Sequence, residues 1–423
     1  MPIQPDKLLI VCFSFPPVPG IGGRRWAKFA KYLSQNNFTV HTLSSKNYSD
    51  SVSEWIKDTS SSKIINHTFE LGASKVLSFP PTNFFQKLTY KYLWNLSPKL
   101  IKGNPQDKVY FIRKKLINKA RTIIQKNNIG TVIVTIPPFK LAYHLVVLKK
   151  EFPNVKFIVD YRDPWTDNRS FHGFYNLEEK RLKQELQYET EVLNTYDAVL
   201  DVNEESLEHL KEKINNKKKF YHLPNGLDSD DYQNYKPVVS TKEKIKFVFS
   251  GSFYPNLTYL LKPLLKSIEQ IKEQHPDLYS ELEFNFYGNM DHNAQKLIKE
   301  SAVSIVKFYG NVPQNSILPI IAGSDFCMLF SALDHGSAFN TKFYEAMYFR
   351  KPIISFGPEG KLSDYILKNN LGIVLTDRDL SSNGTKQLLD LINKTKTFNT
   401  GADISDFEIK NITNQLIKIV NAI

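Results

Sequence analysis

Strand-like and helix-like segments alternate along almost the whole chain, and this alternation constrains the fold more than any other feature. Short apolar runs typical of strands are separated by segments with helical periodicity. Parallel strands must be joined by crossover segments, usually helices, so the pattern predicts parallel sheets covered on both faces. The predicted strands are 8–13, 39–43, 131–135, 156–160 and 197–202 in the first half, and 246–249, 284–287, 304–308, 326–330, 352–355 and 372–375 in the second.

The length of 423 residues exceeds what one ordinary hydrophobic core needs, so we expect two α/β domains. The first Rossmann-like domain is predicted at 1–210 and the second at 244–400. A polar, lysine-rich segment at 211–243 separates them and is the predicted hinge. The tail, 401–423, is predicted to form a closing helix that packs back on the first domain.

Two helices are indicated by their apolar spacing. Trp26, Phe29, Ala30 and Leu33 recur at the interval of one helical face near the amino terminus. In the tail, Asp406 is the expected helix cap, and an apolar stripe follows it at 409, 412, 416 and 419. The region 45–109 has weaker periodicity and is expected to be an irregular excursion from the first domain.

The net charge limits the classes of binding partner, and the cysteine content indicates the compartment. The formal net charge of +12 suits nucleic acid or an anionic membrane surface, but lysine supplies most of it and no nucleic-acid-binding motif is present. Lysines interleaved with aromatics at 87–102 and 108–119 are compatible with an anionic inner leaflet, or equally with a solvated lysine face. Cys12 and Cys327 lie in apolar runs and are expected to be buried thiols of a cytoplasmic protein.

The turn after the first strand carries a glycine pair, Gly22 and Gly23, followed by Arg24 and Arg25. Glycines at a strand-to-helix turn let backbone N–H groups approach a ligand, and a helix amino terminus favours phosphate. The spacing is neither that of a dinucleotide fingerprint nor that of a Walker loop. A phosphate-facing loop and a plain surface turn both remain open.

Two further strand ends in the first half carry candidate site residues, because ligands of open α/β sheets bind beyond the carboxyl ends of the strands. The segment 135–139 holds Pro137 and Pro138, in a ligand-facing loop or only a rigid turn. The segment 160–167 places Arg162 and Asp163 beside an aromatic residue. This second loop is predicted to bind sugar hydroxyls or to supply acid–base groups, with an arginine–aspartate pair that fixes the loop as the alternative.

The second half repeats this arrangement. Gly251 follows its first strand in a turn of small residues that resembles a second phosphate-facing loop, and Lys262 is the nearest candidate cation. A Gly/Ser/Asn loop ending at Asn340 precedes a predicted helix, with Thr341 and Lys342 in its first turn and Glu345 one turn further. Free N–H groups at that helix start suit phosphates, and the carboxylate suits ribose hydroxyls.

Taken together, these segments resemble the retaining glycosyltransferases of family 4, with the GT-B fold of two facing Rossmann-like domains and an interdomain cleft. The resemblance rests on Phe15-Pro16-Pro17 with Gly22-Gly23-Arg24-Arg25, on Pro-Asn-Gly-Leu-Asp at 224–228, and on Thr341-Lys342-Phe343-Tyr344-Glu345 followed by Lys351-Pro352. Pro137-Pro138 and Arg162-Asp163-Pro164-Trp165 are similar to a branch that builds bacterial surface polysaccharides, such as capsule or lipopolysaccharide.

The resemblance implies a role for each motif. Gly22, Gly23 and Arg24 would belong to the loop that closes over the donor, while Arg162 and Asp163 would lie close to the reacting sugar. Thr341 and Lys342 would hold the diphosphate, and Glu345 would match the second glutamate of the Glu-x7-Glu signature, which binds the nucleotide ribose. Donor-binding roles are likewise implied for Gly251, Lys262 and Asn340.

Two departures from the family pattern stand out. The first signature glutamate would fall at Ser337, which has no carboxylate, so contacts to the donor sugar are in question there. Relatives also carry an arginine shortly after the turn at Gly251, where this chain has Tyr254, Pro255 and Asn256.

The activity implied is transfer of a hexosyl or N-acetylhexosaminyl group from a nucleotide diphosphate sugar, a UDP-sugar in our prediction. The acceptor would be a growing glycan or a lipid-linked oligosaccharide, and the configuration would be retained. No cofactor or metal is required by this chemistry, and an enzyme peripheral to the inner face of the cell membrane is one expectation. A sugar-nucleotide epimerase of the same fold and a non-catalytic glycan-assembly protein are the alternatives.

Overall fold

The computed structural model describes residues 4–79, 81–168, 172–215, 219–237, 244–332, 339–393 and 397–423. The chain divides into two compact units. The N-terminal unit comprises Met1–Pro224 together with Ile409–Ile423, and the C-terminal unit comprises Asn225–Glu408. No described helix combines the length and the apolar character that crossing a lipid bilayer demands.

The N-terminal unit contains a seven-stranded sheet in the order β3-β2-β1-β4-β5-β6-β7, and every neighbouring pair is parallel. Its strands β1–β7 are Gln4–Val11, Thr39–Ser45, Ile64–Phe69, Ile129–Ile136, Lys156–Tyr161, Ala198–Asp201 and Phe220–His222. Its helices α1–α6 are Arg24–Gln35, Phe84–Leu100, Arg113–Asn127, Lys140–Glu151, Glu179–Thr195 and Glu204–Glu212.

The C-terminal unit contains a six-stranded parallel sheet in the order β10-β9-β8-β11-β12-β13. Its strands β8–β13 are Ile245–Ser250, Leu282–Tyr287, Val306–Phe308, Phe326–Phe330, Ile353–Phe356 and Gly372–Leu375. Its helices α7–α13 are Thr258–Gln274, Pro276–Glu281, His292–Glu300, Gln314–Ala322, Thr341–Tyr348, Lys361–Lys368 and Asp377–Ile392. The last helix, α14 (Ile409–Ala422), belongs to the N-terminal unit.

Alternating residues of β1 feed two separate hydrophobic clusters, as expected for a strand covered on both faces. Leu9 and Val11 face one cluster, whereas Leu8 and Ile10 face the other. The second cluster also holds the apolar face of α1 and the stripe of α14, which consists of Ile409, Ile412, Leu416 and Ile419. The predicted fold class, two parallel α/β units, is confirmed.

Both cysteines are buried free thiols, as the sequence predicts. Burial raises the pKa of each thiol to about 12, because the thiolate would lose its hydration in the core. Neither cysteine is therefore a ready nucleophile at neutral pH.

Two expectations about local structure were wrong. The region 45–109 is not simply irregular, because it contains β3 and α2. Strand β3 lies at the sheet edge with only its two end residues buried, so its apolar pattern is weak. Asp406 does not cap α14, since it lies inside a 3-10 helix, Ser405–Phe407.

The segment predicted as a hinge contains β7, a three-residue strand that pairs with β6. The chain passes from the N-terminal to the C-terminal unit at residues 224–225, within that segment.

Candidate functional site

Each unit has a cavity at the carboxyl ends of its parallel strands, where the strand order reverses. In the N-terminal sheet this reversal lies between β1 and β4, and in the C-terminal sheet between β8 and β11. Loops that diverge from such a point leave a crevice, which is the usual ligand position in open α/β sheets.

The C-terminal cavity has a volume of about 220 Å³ and is lined mainly by small, polar and charged residues. Four of the predicted donor-binding residues meet in it, and loops after β8, β9 and β10 complete it. The lining residues are Ser250, Gly251, Ser252, Tyr287, Gly288, Asn311, Val312, Ile317, Thr341, Lys342 and Glu345.

Two glycines allow the backbone to approach the cavity closely. Gly251 has a φ of +140°, and a Cβ atom placed there would lie 2.2 Å from Cε of Lys342. Gly288 has a φ of +115°, and a Cβ atom there would lie 2.1 Å from the carbonyl oxygen of Gly251. Both positions thus combine a left-handed backbone with no room for a side chain, so only glycine fits without rearrangement.

Helix α11 begins at this cavity. Asn340 is its N-cap, and the Asn340 side-chain oxygen accepts a hydrogen bond from the N–H of Phe343 at 3.1 Å. The N–H groups of Thr341 and Lys342 belong to the first turn, whose donors have no acceptor within the helix itself. The cap fixes the start of the helix, and the helix places these donors and a positive dipole end at the cavity.

Lys342 and Glu345 are one helical turn apart on α11 and both line the cavity. Partial burial lowers the pKa of Lys342, and the carboxylate of Glu345 opposes this effect. The cavity therefore carries a desolvated cation and an acceptor-only carboxylate side by side. Such a pair can bind a phosphate and a hydroxyl group of the same ligand.

The cation predicted to bind the donor does not line this cavity. Lys262 is exposed on α7 and is not among the residues that line the cavity. Ser337, together with the rest of 333–338, lies outside the described residues, so the expectation about the first signature glutamate stays a prediction.

The N-terminal cavity has a volume of about 240 Å³ and a different character, with aromatic and proline surfaces beside polar groups. The loops after β1, β4 and β5 contribute, together with a loop before α3 and a residue before α5. The lining residues are Phe13, Ser14, Asn104, Gln106, Asp107, Lys108, Pro137, Pro138, Phe139, Arg162 and His172.

Arg162 ties two loops of this cavity together. Its Nη1 donates to the carbonyl of Gly22 at 2.7 Å and its Nη2 to the carbonyl of Pro137 at 2.7 Å. Its Nε donates to the carbonyl of Ile136 at 3.3 Å. The guanidinium thus holds the glycine loop against the proline turn, which makes Arg162 a positioning residue in this geometry.

Asp163 is half-exposed, and its Oδ2 lies 3.2 Å from Nε2 of His172. The ring of His172 lies edge-on to Phe139, and its backbone carbonyl accepts a hydrogen bond from Asn104. The aspartate therefore orients an imidazole at the wall of the cavity. A carboxylate–imidazole pair can bind or polarise a hydroxyl group.

The glycine loop forms a 3-10 helix, Ile21–Gly23, that leads into α1. A Cβ atom on Gly23 would come within 3.3 Å of the backbone of Phe15. Arg24 is buried, and Arg25 forms a buried ion pair with Asp160 at 2.9 Å. Arg25 also donates to two backbone carbonyls, so its guanidinium is engaged in contacts inside the fold.

Sequence reasoning missed several cavity residues. Gly288 had a detectable signal, since it is a glycine directly after a predicted strand. Asn104 and His172 had none, because they lie in loops that reach the cavity only through tertiary contacts. Asn104 is held by Glu185, whose carboxylate accepts from its N–H at 2.7 Å and also pairs with Lys140 at 2.8 Å.

Comparison with known protein families gives a match that lies within the C-terminal unit. Residues 244–394 match the family described as glycosyl transferases group 1. No match was found among curated protein sequences.

Solved structures resemble the chain over nearly its full length. A sucrose-phosphate synthase from Thermosynechococcus elongatus is 14% identical with a TM-score of 0.64, over 98% of both chains. A glycosyltransferase from Rickettsia africae is 17% identical with a TM-score of 0.62, over 98% of both chains. The Anabaena protein HepE in complex with UDP and glucose is 14% identical with a TM-score of 0.61, over 99% of this chain and 100% of that one. These similarities show the GT-B fold, and the interdomain cleft stays a prediction.

Proposed function

We propose that this chain, whose residues 244–394 match the group 1 glycosyl transferases, transfers a sugar from a nucleotide diphosphate sugar to a glycan acceptor. The observation that carries the proposal is the cavity of the C-terminal unit, where Gly251, the first turn of α11, Lys342 and Glu345 meet. The donor is a UDP-sugar in this proposal, because a structural relative was solved with UDP and glucose.

The diphosphate would bind at the start of α11. Main-chain N–H groups of Thr341 and Lys342 and the ammonium group of Lys342 would meet its negative charge, which grows as the glycosidic bond breaks. Hydrogen-bond donors that are in position before the reaction stabilise a developing charge without having to reorganise. Such electrostatic stabilisation is usually a large part of catalysis. The close approach at Gly251 and Gly288 keeps side chains out of that space.

Glu345 would accept hydrogen bonds from the ribose hydroxyls. An ionised carboxylate offers two oxygens to two adjacent hydroxyl groups, and Glu345 lies one turn beyond the N–H groups assigned to the phosphates. Asn340 would act through the helix, by fixing its first turn.

The acceptor side would be the N-terminal cavity, with a growing glycan or a lipid-linked oligosaccharide as acceptor. Aromatic and proline surfaces at Phe139 and Pro138 suit a sugar ring, and the pair of Asp163 and His172 suits a hydroxyl group. The loop that closes over the sugar donor would still be formed by Gly22, Gly23 and Arg24. Retention of configuration and a role in bacterial surface polysaccharides are proposed from the family resemblance alone.

The test is a comparison of the full-length wild type with Glu345→Ala. Binding of UDP should raise the melting temperature of the wild type, and we expect the variant to bind UDP about 10–100-fold more weakly, as for loss of a charge-assisted hydrogen bond. The control is Glu300→Ala, an exposed glutamate at the end of α9. Wild-type affinity and turnover in Glu345→Ala would reject the ribose assignment.

The alternatives are separated by product analysis. A transferase releases the nucleoside diphosphate and extends an acceptor, whereas an epimerase converts the nucleotide sugar with no acceptor present. A non-catalytic assembly protein would bind sugar or partner and release no nucleoside diphosphate from any donor. A screen of UDP, GDP, CMP and their sugars by thermal shift would select the donor to use.

A further inference from the structure

We propose that helix α2 is an interfacial helix that docks the N-terminal unit on an anionic lipid bilayer. The helix, Phe84–Leu100, has an outward face that the fold leaves uncovered. The proposal does not depend on the reaction proposed above, because its test measures binding to vesicles.

Exposed apolar side chains are concentrated on α2. Six of the seventeen large hydrophobic side chains that are exposed among the described residues lie on this one helix, and they are Phe84, Phe85, Leu88, Tyr92, Trp94 and Leu100. Phe84 is 69% exposed and Phe85 is 78% exposed. Single exposed hydrophobics are ordinary, but a contiguous group marks an interaction surface.

The spacing of these residues defines a face. Phe84, Leu88 and Tyr92 follow one another at intervals of four residues, and Phe85 adjoins them at the three-residue interval before Leu88. At 100° per residue these four side chains share one side of the helix. Lys87 and Lys91, also four residues apart and exposed, border that side.

The opposite side of α2 holds the helix in place. Ser97 is buried, and Leu93 and Leu96 are half-buried. At the carboxyl end, Arg181 donates hydrogen bonds to the backbone carbonyls of Ile101 and Gly103, both at 2.9 Å. No side chain of α2 joins the buried hydrophobic clusters of the described residues, so the outward face is not an incomplete part of the core.

The charged residues on and around α2 indicate which kind of surface its exposed face would bind. No aspartate or glutamate occurs from 71 to 106, whereas lysines stand at 75, 87, 91, 99 and 102. An apolar face rich in aromatics and bordered by lysines is the composition of helices that lie in the membrane interface. Anionic headgroups attract such lysines, and tryptophan and tyrosine favour the headgroup level.

The four tryptophans offer a site-specific readout. Trp26, Trp55 and Trp165 are buried, whereas Trp94 on α2 is 45% exposed. Trp94 follows Lys87 by seven residues and so lies with it at the border of the apolar face, where collisional quenching by brominated phosphatidylcholine in the vesicles should report on it at the headgroup level. A Trp94→Phe variant should lose the quenched component while still binding.

The experiment is flotation of the full-length protein with vesicles of phosphatidylcholine alone or mixed with phosphatidylglycerol. We expect binding to the mixed vesicles, weakened by salt, with Trp94 quenched. Phe85→Ser combined with Leu88→Ser should weaken binding by at least about tenfold, and Lys87→Gln combined with Lys91→Gln by roughly fivefold for each lysine. The controls are Leu186→Ser with Leu367→Ser, and Lys296→Gln with Lys299→Gln, which alter exposed residues on other helices.

All the altered side chains are exposed, so melting temperatures should stay close to that of the wild type. Absence of wild-type binding to the mixed vesicles, or equal binding by the α2 variants, overturns the proposal. Equal binding to both vesicle types also overturns it, since the lysines would then have no role. Self-association that depends on α2, without vesicle binding, would show that the face is an interface between copies of this chain.

Discussion

The two cavities occupy equivalent places in their sheets yet have different chemistry. In the N-terminal cavity the arginine, Arg162, is already bound to backbone carbonyls, and the walls are aromatic and proline surfaces. In the C-terminal cavity the walls are glycines, serines and a helix start, and the lysine is beside a carboxylate. The shared topology sets where a ligand binds, and the loops decide what kind of ligand it is.

The largest effect is expected from Gly251→Ala. The new Cβ would meet the side chain of Lys342, on a backbone with φ of +140°. Displacing that lysine by about 1 Å should lower kcat/KM for the donor by about 100-fold. Steady-state kinetics over a range of donor concentrations would measure this.

The matched control is Gly310→Ala, because Gly310 also has a left-handed φ, +72°, but has no atom within 4 Å of the added Cβ among the described residues. Equal losses in the two variants would attribute the effect to backbone strain and would contradict the close approach at Gly251.

The next effect concerns Lys342. Lys342→Met should raise KM for the donor by about 10–100-fold, as expected for loss of a charge-assisted hydrogen bond.

In the wild type, burial lowers the pKa of Lys342, so KM should rise on the alkaline side at a pH below the ordinary lysine value of 10.5. Lys342→Arg, which stays protonated, should abolish that rise. An unchanged alkaline limb in the arginine variant would show that another group titrates.

The N-terminal cavity should respond to Arg162→Met in a different way. Three carbonyls would lose a donor, so the free energy of unfolding should fall by about 1–3 kcal/mol and KM for the acceptor should rise by about tenfold. Thermal shift by UDP should stay close to that of the wild type, because the residues proposed to hold the diphosphate and the ribose, Thr341, Lys342 and Glu345, belong to the other unit.

The control for Arg162 is Arg121→Met, since Arg121 pairs with Glu151 at the surface and should contribute little to stability. A large loss of UDP binding in Arg162→Met would contradict the division of labour between the two cavities.

The smallest effect is expected from Asp201, whose titration should change the free energy of unfolding with pH independently of the activity. Burial raises the pKa of Asp201, in the N-terminal core, to about 7, although hydrogen bonds from Ser206 and Asn203 oppose this. The folded state therefore binds this proton more tightly than the unfolded state, where the pKa is near 3.8. The stabilisation is complete below pH 4 and is lost as the pH rises through 7.

We expect the unfolding free energy of Asp201→Asn to fall less between pH 5 and pH 8 than that of the wild type, as measured by denaturant titration. Asp277→Asn, at an exposed position in α8, should leave the slope unchanged. A wild-type slope retained in Asp201→Asn would assign the pH dependence to other groups.

The sequence by itself determined the two parallel sheets, most of their strands and the start of α11, because buried parallel strands and capped helices leave local apolar and polar patterns. It also placed Gly251, Thr341, Lys342 and Glu345 together, since each follows a strand end or opens a helix.

Only the tertiary structure decided the rest. The edge strand β3 and the three-residue β7 have too little burial to leave a pattern, and they are fixed by pairing with a neighbouring strand. Arg162 links two loops because it bonds to Gly22, which is 140 residues away in sequence. His172 lines the N-terminal cavity beside its partner Asp163, which is 9 residues away. Such contacts depend on where the backbone brings distant carbonyls and carboxylates, which no local pattern encodes.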